Sequence, residues 1–417
     1  MVLKIINICY QKKSKKMNKF VVLLSVILTL NISLYGQGKW IQKANFPGVA
    51  THEGVGFTIN GKGYIVGGTI KYPNWTNEVW EYNPSNDSWI KKSNAPIDGL
   101  REPVAFVIGN KAYIGTGMNG TSLINDFWEY DPAIDKWTVK TKFPGTPRRD
   151  AIGFAIDNKG YIGLGSDSKV KNNDLYEYDP QLDKWIVKAS LPASIRDASI
   201  VFTLGNKAYL TTGRNGSSVY NDLWEYDAIN NKWSQKLNYA GVARSESVSF
   251  VIGLYAFVGL GHTGGAVDFW AYNQLKNSWT VATNFPGGER FESVSFSIGN
   301  KGYVGLGSVV GKGLQNDFWE YDLGTTDLDE INIQKDEFSV YPNPISNYLN
   351  LLLPSNDIKQ LELTIFDVNG KEVFKKQFVN FSIMEKLNIP EFVNGDYFVQ
   401  VVTYKGKVFN KKISILK

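Results

Sequence analysis

The chain has 417 residues, of which 43% are hydrophobic and 14% aromatic, enough for one large domain and a smaller one. Its 40 glycines and frequent aromatic residues, without long helical patterns, favour an all-β fold. The formal charge of +5 arises in the first 36 residues, which hold six lysines and no acidic residue; 39 basic and 40 acidic side chains remain beyond them. No basic stripe is left, so the sequence argues against a nucleic-acid partner.

Residues 1–36 have the order of a secretory signal peptide. A basic run over residues 12–19 precedes a mostly apolar stretch over residues 20–34, and the small residue Gly36 follows. The apolar stretch is short and interrupted by polar residues, so we predict no integral membrane span in the mature form; an uncleaved anchor is the alternative. Met17 is a suitable true start, because it opens a leader of ordinary length.

Three sequence markers recur in one phase along the chain. The first is an aromatic residue followed two positions later by tyrosine, at intervals of 46 to 49 residues: Trp80/Tyr82, Trp128/Tyr130, Tyr176/Tyr178, Trp224/Tyr226, Trp270/Tyr272 and Trp319/Tyr321. The others are a glycine, at Gly68, Gly117, Gly165, Gly213, Gly261 and Gly307, and a second tryptophan, at Trp40, Trp89, Trp137, Trp185, Trp233 and Trp279. This agreement predicts an array of six repeats.

Each repeat is predicted to contain four short strands. In the third repeat these cover residues 152–156, 160–165, 175–178 and 185–188, and Asp157-Asn158 suits the tight turn between the first two. A single four-stranded sheet cannot bury both of its faces. The repeats are therefore expected to pack radially, with their aromatic residues between neighbours.

These repeats resemble kelch repeats, which form β-propellers. Tyr130 to Trp137 and Tyr178 to Trp185 have the kelch spacing, whereas only Gly67-Gly68 keeps the double glycine of the motif. The predicted fold class is therefore all-β, with a six-bladed kelch-type β-propeller over residues 37–325. We expect residues 40–44 to supply the outer strand of the sixth blade and close the ring; an open array is the alternative.

The loops that enter the first strand of each repeat carry charged residues. Because the first strand should be innermost, these side chains should surround the mouth of the central channel. The candidate rim residues are His52, Glu53, Arg101, Glu102, Arg148, Arg149, Asp150, Arg196, Asp197, Arg244, Glu246, Arg290 and Glu292. The resemblance implies that such a rim contacts ligands in kelch proteins that bind peptides or sugars, and arginine suits carboxylate or phosphate groups. The alternative is that these charges pair between blades and only stabilise the fold.

Two aromatic residues, Tyr72 and Trp75, lie outside the repeat pattern. They are candidates for stacking against a sugar ring. Packing against the neighbouring blade is an equally good interpretation.

The sequence contains no nucleophile elbow, no zinc-binding helix motif and no phosphate-binding glycine loop. Its only cysteine, Cys9, lies in the leader, and its only histidines are His52 and His262. The copper site of kelch enzymes similar to galactose oxidase, which uses His, Tyr and Cys, is therefore ruled out. We predict no catalytic residue, no metal and no cofactor.

The function predicted is that of a non-catalytic binding module for a glycan or protein ligand. One alternative is an enzyme similar to the six-bladed kelch sialic-acid mutarotases, in which Arg148, Arg149, Glu102 and His52 would serve as acid–base and carboxylate-binding groups. Another is a surface structural protein without a small ligand.

After the repeats, residues 326–336 are predicted to form a linker and residues 337–417 a small β-sandwich of about seven strands. Tyr341-Pro342-Asn343-Pro344, residues 366–371 and Gly395-Asp396-Tyr397 resemble the type A sorting domain of the type IX secretion system of Bacteroidota. The resemblance implies that residues 337–417 engage the secretion machinery. The protein would then cross the inner and outer membranes and become attached to the cell surface or released.

Overall fold

The computed structural model describes residues 38–262, 266–274, 276–323, 338–341, 348–352, 360–379, 384–388, 392–404 and 408–415. The predicted signal peptide and the predicted linker lie outside these residues. All the regular secondary structure of the described residues is β-strand. No helix that could cross a membrane is found in this part of the chain.

Six antiparallel four-stranded sheets form the blades of a propeller. From the innermost to the outermost, their strands are Val55–Ile59, Lys62–Lys71, Asn74–Asn83 and Ser88–Lys92; Val104–Ile108, Lys111–Gly115, Phe127–Asp131 and Lys136–Val139; Ile152–Ile156, Lys159–Gly163, Leu175–Asp179 and Lys184–Lys188; Ile200–Leu204, Lys207–Thr211, Leu223–Asp227 and Lys232–Lys236; Val248–Ile252, Tyr255–Gly259, Phe269–Asn273 and Ser278–Ala282; and Val294–Ile298, Lys301–Gly305, Phe318–Asp322 and Lys39–Lys43.

The sixth blade joins the two ends of the repeat region. Its outermost strand, Lys39–Lys43, pairs antiparallel with Phe318–Asp322, which places Trp40 opposite Tyr321. Each innermost strand packs against the innermost strands of both neighbouring blades, including the first against the sixth. The six-bladed fold and its amino-terminal outer strand are therefore as the sequence predicts.

Short hairpins stand at the end of the propeller where the chain enters each innermost strand. Their strands are Leu100–Arg101, Met118–Asn119 and Ser122–Leu123 at the second blade, Arg214–Asn215 and Ser218–Val219 at the fourth, and Arg290–Phe291, Ser308–Val309 and Gly313–Leu314 at the sixth.

Neighbouring blades pack closely because small residues face aromatic rings. A Cβ added at Gly160 would lie only 2.0 Å from the ring of Phe106 in the preceding blade. Buried tyrosines and phenylalanines fill the remaining space, and each hydrophobic cluster of the propeller draws on two adjacent blades. This dense packing fixes the geometry of the loops at the channel mouth.

A repeated pair of hydrogen bonds also joins the blades. In one example the indole N–H of Trp137 donates to the carbonyl oxygen of Ser93 (3.2 Å), and the backbone N–H of Ser93 donates to Asp135 (3.1 Å). The equivalent tryptophan bonds join Trp40 to Thr283, Trp89 to Ala44, Trp185 to Thr141, Trp233 to Ala189 and Trp279 to Leu237. The second tryptophan of every repeat thus holds the end of the preceding blade's outer strand.

The carboxyl-terminal region contains two sheets that share one core. In hydrogen-bonding order the first contains Ser339–Tyr341, Tyr348–Leu352 and Met384–Asn388, and the second contains Glu372–Val379, Gln360–Phe366, Gly395–Thr403 and Val408–Ile415. Residues fully buried between them include Leu349, Leu363, Ile365, Val399 and Ile413. The seven strands agree with the sandwich predicted from sequence.

Candidate binding site at the channel mouth

Six equivalent residues, one from each blade, surround the mouth of the channel. They form the ring Glu53, Glu102, Asp150, Ala198, Glu246 and Glu292. All six have a positive φ, between 50° and 61°, and are linked through their backbones: the N–H of Glu102 donates to the carbonyl of Glu53 (2.8 Å), and that of Glu246 to Ala198 (3.0 Å). This repeated turn brings five carboxyl groups around one cavity of about 140 Å³.

The cavity at the mouth leads into a wider chamber of about 300 Å³. Both spaces are lined by Gly54, Pro103, Ala151, Ser199, Ser247 and Ser293. Small side chains thus form the wall below the ring, and the charged groups are confined to the mouth.

Where the first and sixth blades meet, a histidine and two carboxylates lie side by side. His52 donates from Nδ1 to Glu292, while Glu53 accepts from the hydroxyl of Thr69 and from Arg101 Nη1 at 3.4 Å. Burial alone would lower the pKa of His52, but the hydrogen bond and charge of Glu292 outweigh it and raise that pKa. Burial opposes ionisation of Glu53, but the bond from Thr69 and the charge of His52 lower its pKa overall.

Glu102, the next residue in the ring, is a carboxyl group whose pKa is raised. Burial, followed by the negative charges of Asp150 and Glu53, raises its pKa to about 9, even though Arg149 Nη1 lies 3.1 and 3.2 Å from its two oxygens. Glu102 also shares a side-chain hydrogen bond with Glu53, whose pKa is lowered. A proton donor and a proton acceptor therefore stand next to each other at the mouth.

Arg214 spans the one ring position that lacks a carboxyl group. Its guanidinium lies between the two neighbours of Ala198: Nη2 is 3.8 Å from Asp150 Oδ2, and Nη1 donates to Glu246. Its Nε also donates to Asp197 at 3.3 Å. Burial, followed by the charge of Asp197, nevertheless raises the pKa of Asp150 to about 7.

Sequence reasoning missed Arg214, although a signal was present. It follows the repeated glycine Gly213, at a position where the six blades differ. The equivalent residues are Thr69, Met118, Ser166, His262 and Ser308. In the first blade Thr69 touches the ring, and in the second Met118 contacts Arg101.

Four predicted rim arginines do not reach the mouth. Arg148, Arg196, Arg244 and Arg290 are at most 1% exposed. Each forms an ion pair within its own blade, with Asp174, Asp222, Asp268 and Asp317 respectively. They also donate to backbone carbonyl groups and lie over aromatic rings. This placement corrects the expectation that they surround the channel: they stabilise the blades, and the ring residues that line the mouth follow two positions later.

The remaining predicted rim residues are brought together. Glu53, Glu102, Asp150, Glu246 and Glu292 line the cavity. His52, Arg101, Arg149 and Asp197 form hydrogen bonds or ion pairs with ring residues or with Arg214.

Trp75 and Tyr72 have different surroundings. Trp75 packs towards the second blade, where a Cβ on Gly99 would lie 3.1 Å from its own Cβ, and the guanidinium of Arg101 is 5.8 Å from its ring centroid. Tyr72 is 74% exposed and meets Trp75 edge to face, with 6.2 Å between ring centroids.

Among the residues that the structure describes, one group of side chains has ligand atoms close enough for a metal ion. Atoms of His52, Glu53 and Glu292 lie within 4.8 Å of one another. However, His52 and Glu292 already engage each other, and Glu53 is held by Thr69 and Arg101. The arrangement therefore gives no reason to assign a cation.

Comparison with known proteins separates the two parts of the chain. Residues 57–96 match the family described as "Kelch motif", and residues 339–416 match the "Secretion system C-terminal sorting domain". No curated protein matches the chain.

A solved structure titled "Structure of YjhT" is similar with a TM-score of 0.57 and 17% identity, covering 66% of this chain and 95% of that one. At this identity the likeness shows the fold alone. Sorting domains of the matched kind mark proteins exported by type IX secretion to the cell surface or the extracellular space. The chain is a kelch-type β-propeller protein that carries a secretion-system C-terminal sorting domain.

Proposed function

We propose that the exported propeller is a non-catalytic binding module whose ligand, a glycan, enters the mouth of the channel. The observation that carries this proposal is the ring of five carboxyl groups around an open cavity of about 140 Å³. Carboxylate oxygens accept hydrogen bonds from sugar hydroxyls, and the serines below the ring offer further polar groups.

The lining of the cavity favours a glycan over a protein ligand. Protein interfaces depend on large apolar or aromatic side chains that fill matching pockets. The apolar side chains at this mouth are only Pro103, Ala151 and Ala198, and its polar groups are numerous. A polyhydroxylated ligand makes better use of such a surface.

The test is binding of the full exported protein to a glycan array. The double variant Arg214→Ala/Glu246→Ala removes both members of the closest ion pair at the mouth, so that neither of these two residues is left without the other. We expect it to lose binding, whereas Lys142→Ala, at an exposed residue of the second blade, retains it. If the native protein binds no glycan but captures displayed peptides, a protein ligand replaces the glycan.

A second candidate function is that of a mutarotase-like sugar enzyme, which the pair Glu53 and Glu102 favours. Anomer exchange requires a base that takes the proton of the anomeric hydroxyl and an acid that protonates the ring oxygen as the bond from that oxygen to the anomeric carbon breaks. Glu53, with its lowered pKa, and Glu102, with its raised pKa, supply these two states.

The two functions are distinguished by NMR of anomer exchange in a sialic acid. A rate above that of buffer, abolished by Glu102→Gln, supports the enzyme. Exchange at the buffer rate, together with glycan binding, supports the binding module.

A further inference from the structure

The longest hairpin of the propeller stands beside the mouth. Its two strands, Lys62–Lys71 and Asn74–Asn83, have ten residues each, while the other blade strands have four or five. Thr69, whose hydroxyl donates to Glu53 of the ring, pairs with Trp75. Tyr72 follows three residues after Thr69, a rise of about 10 Å along a strand. The tip therefore lies at most about one such length from Thr69, the residue of this hairpin that contacts the ring.

A continuous series of contacts connects this tip with the ring. Tyr72 meets Trp75 edge to face, the guanidinium of Arg101 lies 5.8 Å from the Trp75 ring centroid, and Arg101 Nη1 is 3.4 Å from Glu53. Trp75 also packs against Gly99 of the second blade. An exposed aromatic ring is thus supported at a fixed place beside the charged mouth.

We propose that Tyr72 is a second subsite, and that the ligand is an oligosaccharide with one end in the mouth and a following sugar ring stacked on Tyr72. This inference rests on the proposed function and defines the size of its ligand. The carboxyl groups bind hydroxyls of the first residue, and the aromatic face packs against the C–H face of a later one. The cavity at the ring, about 140 Å³, is too small to enclose an oligosaccharide, so the sugars that follow the first lie outside it, and the proposed subsite places them along the surface.

The experiment measures affinity as a function of chain length. The full exported protein is titrated with mono-, di- and trisaccharides of galactose, mannose and N-acetylglucosamine. Tyr72→Ala removes the ring, and Tyr72→Phe, the matched control, keeps it. Because Tyr72 is at an exposed tip, we expect both variants to fold. We expect Tyr72→Ala to weaken trisaccharide binding about five- to tenfold with the monosaccharide unaffected, and Tyr72→Phe to bind like the native protein.

The possible results distinguish the second subsite from the proposed binding function on which it depends. If Tyr72→Ala binds mono- and trisaccharides as the native protein does, the second subsite is refuted while the mouth remains a binding site. If the native protein binds no saccharide of any length, the glycan function itself is refuted. Equal weakening at every length also contradicts the inference, because Tyr72 would then act on the mouth.

Discussion

The indole N–H of Trp40 donates to the carbonyl oxygen of Thr283 across 3.0 Å, although 243 positions of sequence separate the two residues. Thr283 follows the outer strand of the fifth blade, and Trp40 belongs to the strand that completes the sixth. The hydroxyl of Thr283 in turn donates to the carbonyl of Gly38. The start of the propeller is thereby fixed to a blade made near its end.

Trp40→Ala should destabilise the propeller by about 3 kcal/mol, since it removes this bond and an aromatic group packed at 4.9 Å from both Phe285 and Tyr321. Thermal unfolding measures the effect. Val139→Ala, at a residue that is 74% exposed on another outer strand, is the control and should leave the melting temperature almost unchanged. Equal melting temperatures for the two variants would show that the closing strand contributes little.

Arg148 and Arg149 are adjacent in sequence but should respond differently to substitution. Arg148 is buried and paired with Asp174, so Arg148→Ala leaves a carboxylate without its partner and should cost about 3 to 5 kcal/mol. The side chain of Arg149 is 39% exposed, and Arg149→Ala should cost at most about 1 kcal/mol. Unfolding in urea compares them, and a similar loss in both would contradict the assignment of Arg148 to the body of the blade.

Gly67, the first glycine of the kelch double glycine, can be compared with Thr116, which occupies the equivalent position in the second blade. Gly67 has φ of 70°, and a Cβ there would lie 2.4 Å from the carbonyl oxygen of Leu100. Gly67→Thr should therefore cost more than about 2 kcal/mol. At the equivalent position Thr116 already has φ of 55° and a buried hydroxyl without a hydrogen-bond partner. Thr116→Gly should stay within about 1 kcal/mol of the native protein, because relief of strain offsets the lost packing.

Equilibrium unfolding of the two variants tests this contrast. Strong destabilisation by Thr116→Gly would mean that the threonine side chain contributes more than its backbone conformation costs.

The fold could be predicted because its markers are local and repeat. Tyr130 and Trp137, for example, are cross-strand partners in the third and fourth strands of a blade, so their spacing follows directly from the turn between them. Repetition then compensates for weak signals in any one repeat. The closing strand could be predicted from the same spacing. The repeat pattern expects a tyrosine before Trp40 and a tryptophan after Tyr321, and neither is present, so the two ends complete one repeat.

The candidate site was predicted less well because charge type does not reveal which way a side chain points. Arg148 and Arg149 differ by one position, and only the left-handed turn at Asp150 decides which of them lies near the ring. Arg214 comes from a different loop, and its contact with Asp150 spans two blades. No short-range pattern encodes such a contact.

The fifth repeat departs most from the repeat pattern. In its blade, the residues that form a buried charge network elsewhere are replaced together. Elsewhere a buried glutamate such as Glu225 accepts from Tyr209 and pairs with Lys207 and Lys236. The fifth blade has apolar or aromatic residues at all four equivalent positions, namely Tyr255, Phe257, Ala271 and Ala282. Because the whole network changes together, no charge is left buried without a partner.

Protonation of Glu102 should make stability depend on pH. Its pKa of about 9 exceeds the ordinary value of 4.5, so the folded protein keeps a proton that the unfolded chain releases. This group therefore lowers stability progressively as pH rises from about 5 to about 9. Asp150, with a pKa of about 7, acts in the same direction over the lower part of that range.

Glu102→Gln removes this titration while keeping an acceptor for Arg149 and a donor for Glu53. We expect nearly equal melting temperatures for variant and native protein at about pH 5, and a more stable variant at about pH 8.5. A difference that stays constant across this range would show that Glu102 is ionised in the folded protein.

Export should require the sorting domain to be folded as well as present. Ending the chain after Asp336 removes both of its sheets and should leave the propeller in the periplasm.

Leu363→Asp places a charge in the core of the domain, where this residue is fully buried, and should cause the same retention because a buried unpaired charge unfolds a small sandwich. Val379→Asp, at a residue that is 71% exposed, is the matched control and should be exported normally. Cell fractionation followed by immunoblotting distinguishes the cases. Normal surface delivery of the Leu363→Asp variant would mean that the machinery reads a linear segment, since the sandwich could no longer present a surface to it.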